Sequence, residues 1–583
     1  MRTSPSSLLF RAFSGHFLFV LAAMGGAACE GTSVVSPAPD AGNADVASPD
    51  VASPDVASPD VATDAPAPTD VVAPGDAPPP VDAGAMDWGF RPGTDGFNFA
   101  NRGTSRPGAE PMTARLDANS MRRMFGPSVC VGANATGPCV LVPNAAQWLE
   151  KENDGASAGN CEGYSILAAH MYAGAISPMT YGGANAFALP LAQPLEQEIM
   201  FWALSQTSVS QMVAPTQRKT PRELVDFLTA EFARGRAFGG VSLGVSGAEG
   251  GHSILPYALR RRSATVVEVL VYDNNHPGTE RFVTLDTAAN TWSYAAALNA
   301  SMPDSLWSGS DTVRPLTVQA AAPRLALPHP SDAWQNAPMD GGGANRVRIN
   351  TVGDARISVT DAMMRTTAFG ADGRYQEAIP GSRVSLRMPG ALRQPDPLFE
   401  VPRATALTVT LDGAGLSAAS PSEVLFQGTG WTLGLEGVSI DPGQRDTLVI
   451  QPGAPDLLYR ASGVETPTLT LAFQSAGDDY LIEVRSGAMT AGQNLRLSVD
   501  FAMNRARVSF DGSTSAPTFE LYVERVTASG TIVFDHRGVT ATPTSAMFVN
   551  FGAWGGDTMP MSVGYDDNGD GTADRTATLT DEP

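Results

Sequence analysis

The chain has 583 residues, 43% of them hydrophobic, and a net charge of −22. That length exceeds what one core accommodates and implies several domains. The acidic balance repels phosphate backbones, so nucleic acid is excluded as an expected partner.

Residues 1–29 read as an export signal. Arg2 and Arg11 supply a positive start, Phe17–Met24 a short apolar run, and Gly26-Ala27-Ala28 a small-residue cleavage site. Cys29 directly after it resembles the acceptor of a bacterial lipobox, although Gly26 stands where an aliphatic residue is usual. Lipidation at Cys29 is therefore expected, against ordinary cleavage and release. Both readings place the mature chain outside the cytoplasm, at the cell envelope or in the medium, where disulfides persist. No later apolar run reaches the roughly 18 residues that span a bilayer, so any membrane contact is expected through the N-terminal lipid alone.

Residues 30–87 are Asp/Ala/Pro/Val-rich, with Asp45-Val46-Ala47-Ser48-Pro49 repeated at 50–54 and 55–59. Proline blocks helix, aspartates repel one another, and little apolar bulk is available to bury. The expectation is an extended, solvated tether, spanning over ~100 Å at ~3 Å per residue.

The next region, 88–327, is helical first and strand-rich second, an α+β pattern. Helices are predicted over Asn144–Lys151, Leu195–Leu204 and Pro221–Phe232. The last opens on Thr220, with proline at the first turn and Glu223 three residues on, a capping-box arrangement. Strands are predicted over Val241–Val245, His252–Leu259 and Val266–Tyr272, with a hairpin from Thr284 to Tyr294. From 341 to 583 the texture is almost purely β. Leu407–Leu411, Leu469–Phe473 and Leu495–Val499 alternate strictly, which suggests two sandwich-like domains, 341–460 and 461–583.

The four cysteines are Cys29, Cys130, Cys139 and Cys161. Cys130 and Cys139 flank a turn-rich loop and are expected to form a disulfide. A metal pair is the alternative, but no nearby His or Cys completes a four-ligand set. Cys161 is then the odd thiol of an exported protein, either reactive or available for intermolecular pairing. Its neighbours Gly159, Asn160, Glu162 and Gly163 are a poor setting for a merely buried thiol. A helix is predicted to begin here, so the sulfur would stand at the positive end of the helix dipole, which favours thiolate.

A nucleophilic thiol needs a base, and the base needs an orienting group. Of the histidines, His170 lies nine residues along the helix, about 13 Å at 1.5 Å per residue. His276 sits in a Pro-Gly turn, and His329 and His536 fall in the linker and the β region. His252, which heads a strand beside Gly250, Gly251 and Ser253, is the best base. Asp273 ends the following strand, so antiparallel pairing would set it beside His252. Asn274 and Asn275 are alternative acceptors for the ring N–H.

Cys161-Glu162-Gly163-Tyr164-Ser165 resembles the papain-like nucleophile motif, in which an aromatic follows the cysteine at +3 and serine at +4. His252-Ser253-Ile254-Leu255-Pro256-Tyr257 resembles that superfamily's histidine strand. The stretch Gly159–Tyr294 is similar to its secreted bacterial branch, and the resemblance covers about residues 115–320. It implies a papain-like α+β domain with Cys161 as nucleophile, His252 as base and Asp273 as orienting residue. One departure concerns the oxyanion donor. Papain-like enzymes carry a glutamine a few residues before the cysteine, whereas Gln147 lies fourteen before Cys161. Asn153 is preferred in its place, ahead of Asn160.

Near the C-terminus, Asp566, Asn568, Asp570 and Asp574 with Gly571 match the start of a calcium loop, but Ala577 replaces the usual bidentate glutamate. Calcium there competes with a plain acidic turn, and no other cofactor is implied.

The resulting expectation is an exported, lipid-anchored cysteine peptidase or thiol amidohydrolase acting on protein or peptide. Its β domains would present substrate or meet a cell-surface polymer. The rivals are a catalytically silent surface binding protein and a transglutaminase-like thiol acyltransferase.

Overall fold

The computed structural model describes residues 86–102, 113–133, 136–156, 159–209, 215–247, 250–329, 346–370, 375–388, 397–475, 477–513, 516–527, 529–542, 545–556 and 558–582. The expected export signal, Cys29 and nearly all of the tether lie outside them.

Among the described residues the first folded region contains six α-helices: α1 (Pro92–Asp95), α2 (Ala118–Phe125), α3 (Pro143–Gly155), α4 (Cys161–Ala173), α5 (Gln193–Val209) and α6 (Pro221–Phe232). Eight strands accompany them: β1 (Gln217–Lys219), β2 (Val241–Ser246), β3 (Gly251–Arg261), β4 (Val266–Tyr272), β5 (Glu280–Asp286), β6 (Thr291–Ala296), β7 (Ser305–Ser310) and β8 (Leu316–Ala320). They form one antiparallel sheet in the order β1-β8-β2-β3-β4-β5-β6-β7. The capping box of α6 is present, with Thr220 Oγ1 accepting from Glu223 N–H and the Glu223 carboxylate accepting from Thr220 N–H.

Helix α4 is the centre of this region. Every residue from Cys161 to Met171 is buried, so no polar face is left to give it amphipathic periodicity. It packs against α5 on one side and β2 and β3 on the other. Gly163 permits the α5 contact: a Cβ there would lie 2.0 Å from the Ile199 carbonyl oxygen. Gly174, in the left-handed conformation at φ 80°, ends the helix.

Beyond residue 345 the described residues form strands and turns, with one 3-10 turn at Phe551–Ala553. An eleven-stranded and a nine-stranded antiparallel sheet enclose one apolar core running from Val347 to Leu579. Strict alternation in the sequence appears as alternating burial, for example along Asn494–Asp500. Successive hairpins switch from one sheet to the other. In consequence both sheets continue across the boundary expected at 460/461. Leu433 pairs with Leu471 in one sheet, and Leu457 with Leu497 in the other. The two expected sandwiches are joined edge to edge, because Thr468–Ser475 hydrogen-bonds to Trp431–Ile440 and Asn494–Asp500 to Asp456–Arg460, which leaves no seam.

Helix α3 docks this sandwich onto the first region. Gln147 donates to Thr470 and accepts from Thr432, and Lys151 pairs with Glu423 at 2.8 Å. Buried Glu152 receives both terminal nitrogens of Arg387 and the amide of Asn350. Among the described residues no helix is long and apolar enough to cross a membrane.

Candidate active site

Cys161 is the first residue of α4, so its N–H has no intrahelical acceptor. The chain reaches it through Gly159, at φ 131°, a conformation that L side chains rarely adopt. The first turn is clamped from below. Glu162 accepts from Ser242 Oγ at 2.9 Å and pairs with the fully buried Arg324, which also bonds Gln319 and the Trp202 carbonyl.

His252 is the second residue of β3, and β3 pairs antiparallel with β4 in the register Leu255↔Tyr272. That register sets Asp273, one residue past β4, against the histidine. His252 Nε2 lies 2.7 Å from Asp273 Oδ1, and the Cys161 thiol lies close enough to the imidazole to contribute to the rise in its pKa. The N–H of Ser253 also points at Sγ, 3.4 Å away. Thiol, imidazole and carboxylate are thus connected in one line.

The carboxylate is itself fixed. Asp273 Oδ1 accepts from Asn275 N–H at 2.8 Å, and Oδ2 accepts from the Tyr294 hydroxyl. Asn274 ties the elements together, its amide donating to the carbonyls of Cys161 at 3.1 Å and Ser253 at 3.0 Å. Asp273 is therefore the residue that meets the imidazole, while Asn274 and Asn275 brace the surroundings.

Burial disfavours the charged ring of His252. The Asp273 carboxylate, with a further contribution from Cys161, more than offsets this and raises its pKa to about 10. Burial likewise pushes the Asp273 carboxyl up, but the facing His252 and the Tyr294 hydroxyl hold it below the ordinary carboxylate range. The phenol of Tyr294 is driven well above its usual value by burial beside Asp273. The pair is thus tuned to stay ionic although it is shut away from water. Cys161 itself retains 5% exposure and His252 1%.

Asn153 stands elsewhere. Its Oδ1 accepts from Leu116 N–H at 2.9 Å and its Nδ2 donates to the Leu116 carbonyl at 3.2 Å, so both ends of the amide clamp a distant strand of chain. Nearness in sequence misleads here, because the break between α3 and α4 redirects the chain after Asn153. Asn160 turns its amide back on the Ala156 carbonyl. The residue that meets the nucleophile's approach loop is Asn101, whose Oδ1 accepts from Asn160 N–H at 3.0 Å. Neither Asn101 nor Tyr294 carries a local motif that would mark it, and each lies far from Cys161 in the chain.

Cys130 and Cys139 form the expected disulfide, with S–S 1.99 Å, and Cys161 takes no part in a disulfide. His170 is fully buried against Trp202 at 4.4 Å between ring centroids, and among the described residues neither of its nitrogens has a partner. His276 pairs with Asp304, His329 faces the Arg324 carbonyl and His536 the Thr580 carbonyl.

In the C-terminal loop, Asp566 accepts from the N–H groups of Gly569 at 2.7 Å and Gly571 at 2.9 Å. Asp574 accepts from those of Asp567 at 2.8 Å and Asn568 at 3.2 Å. Asp570 accepts from Thr572, and Asn568 from Asp570. The oxygens proposed as calcium ligands thus close the turn upon itself, and among the described residues no group of three His, Cys, Asp or Glu side chains converges as a metal site would need.

No family model, curated protein or solved structure matches this chain.

Proposed function

We propose that this protein is a papain-like cysteine hydrolase, exported and lipid-anchored at Cys29, that cleaves amide bonds in protein or peptide substrates. The observation that carries the reading is the connected line Cys161–His252–Asp273, with the sulfur at the start of a helix. Asp273 holds Nε2 of His252, which leaves Nδ1 to serve the thiol. His252 already holds the proton in its ion pair with Asp273, so Cys161 Sγ attacks the carbonyl carbon as the thiolate. The tetrahedral intermediate collapses, and His252 returns the proton to the leaving amine. Water, deprotonated by the same imidazole, then releases the acyl group from sulfur. If an amine replaces that water, the same atoms perform acyl transfer, and incorporation of a labelled amine distinguishes the two outcomes.

The sandwich is joined through α3, which carries no triad residue, and this supports a role in placing the hydrolase on a cell-surface polymer rather than in chemistry. Nucleic acid is no part of the proposal, given the net charge of −22.

One observation favours a second reading, a binding protein with a silent site: the thiol is 5% exposed. Incubation with a peptidyl chloromethyl ketone separates them. Covalent modification that is lost in Cys161→Ala supports the hydrolase. An unmodified Cys161 after prolonged exposure supports the binding protein.

A further inference from the structure

The segment that delivers Asn101 comes from the N-terminal edge of the described chain. It runs alongside β3, with Leu259 N–H donating to the Met86 carbonyl at 2.9 Å and Trp88 N–H to the Tyr257 carbonyl at 2.8 Å. Phe97 N–H then meets the Tyr272 hydroxyl at 3.3 Å, and the Tyr164 hydroxyl donates to the Ala100 carbonyl at 3.1 Å. Finally Asn101 N–H donates to the Asn274 carbonyl at 2.8 Å. Each anchor belongs to α4, to β3 or to the β4 end that carries Asp273. The strap is therefore fastened to the same elements that hold the triad.

The Asn101 side chain is 8% exposed. Its Oδ1 is fixed by the peptide N–H of Asn160, the residue directly before the nucleophile. The amide NH2 lies over Gly159, with Nδ2 3.5 Å from where a Cβ would stand. Among the described residues no acceptor faces that Nδ2. Neighbouring Cα atoms are ~3.8 Å apart, so the amide stands within one residue's reach of the Cys161 N–H. A planar amide with its carbonyl anchored and its donors unengaged, beside a helix-start N–H, is preorganised to meet a developing negative charge.

We propose that Asn101 is the side-chain donor of the oxyanion hole, acting with the backbone N–H of Cys161. As the sulfur–carbon bond forms, the carbonyl π pair moves onto oxygen, and both N–H groups donate to it without giving up a proton. When the intermediate collapses, that pair re-forms the carbonyl and the leaving amine departs with the proton from His252. This assignment rests on Cys161 being the nucleophile, and it makes the N-terminal strap part of the catalytic centre.

The test compares two small reagents on the full mature protein. p-Nitrophenyl acetate acylates a thiol through a tetrahedral oxyanion, whereas iodoacetamide alkylates it by direct displacement with no oxyanion. For Asn101→Ala, acylation of Cys161 is expected to fall about 10²-fold, with alkylation unchanged within about twofold. Asn101→Asp is isosteric, keeps an oxygen toward Asn160 and sets a negative charge against the oxyanion. It should show the same split if the alanine variant folds poorly. Acylation and alkylation falling together, or neither falling, overturns the assignment. If wild-type Cys161 reacts with neither reagent, the nucleophile reading fails first and this assignment falls with it.

Discussion

His252 Nε2 lies 2.7 Å from Asp273 Oδ1, with both side chains removed from solvent. Burial alone would discharge both groups. Their mutual contact reverses this, raising the imidazole to about 10 and depressing the carboxyl. Asp273→Asn keeps the shape and removes the charge. Turnover should fall by at least 10²-fold, and the basic limb of the pH–rate profile should move to lower pH, because the charged ring loses its partner. A profile that keeps its basic limb in place would contradict the role given to Asp273.

Two buried histidines should shape stability in opposite pH ranges. His252 has a folded value of about 10 against an ordinary value near 6.5, so its stabilisation is full below about pH 6.5 and is lost as pH rises through about 10. His170 is lowered to about 3 by burial and by nearby Arg324, so its neutral form is favoured. Its contribution is full above about pH 6.5 and is lost as pH falls toward about 3. His170→Phe fills the same place against Trp202 without a titrating group. Thermal melts at pH 7, 5 and 4 should show a smaller acid-induced drop in Tm for this variant than for wild type.

Gly163→Ala should be destabilising although alanine is the better helix former. The new Cβ would stand 2.0 Å from the Ile199 carbonyl oxygen, so α5 must move off the nucleophile helix. A loss of about 1–3 kcal/mol is expected from the overpacking, read from the midpoint of a denaturant transition. An unchanged midpoint would mean that α4 and α5 do not meet this closely.

The Cys130–Cys139 disulfide closes a short loop, with a sequence separation of 9. Replacing both cysteines by serine should cost about 2–3 kcal/mol through loop entropy. It should leave alkylation of Cys161 at its wild-type rate, since the pair lies outside the triad. Equilibrium unfolding and a labelling assay on the same variant check the two halves of this statement.

The order of Cys161, His252 and Asp273 was legible because each sits at an element boundary with a sequence signal. A glycine-flanked helix start marks the first, a strand head beside two glycines the second, and a strand end running into a Pro-Gly turn the third. Antiparallel pairing of β3 and β4 then follows from the short connection. Asn101 was not legible, because the strap that carries it is fixed by backbone hydrogen bonds to β3 and Asn274 that leave no pattern in side chains. Asn153 is near Cys161 in sequence, but its amide is engaged by Leu116 instead. Tyr294 read only as a strand aromatic, since its hydroxyl contact with Asp273 depends on how β6 is placed in the sheet. In the sandwich, alternation revealed strands such as Leu495–Val499, but which hairpin lies beside which is a property of the sheets and not of any one strand.

The central claim is that Cys161 is a nucleophile activated by His252, and alkylation by iodoacetamide at pH 6, located by peptide mass mapping, tests it most directly. An ordinary thiol, with a pKa near 8.5, is almost wholly protonated there. Modification of Cys161 faster than free cysteine, and slowed to or below the free-cysteine rate in His252→Ala, is the predicted result. A rate at Cys161 no faster than that of free cysteine, or one that His252→Ala leaves unchanged, would contradict it.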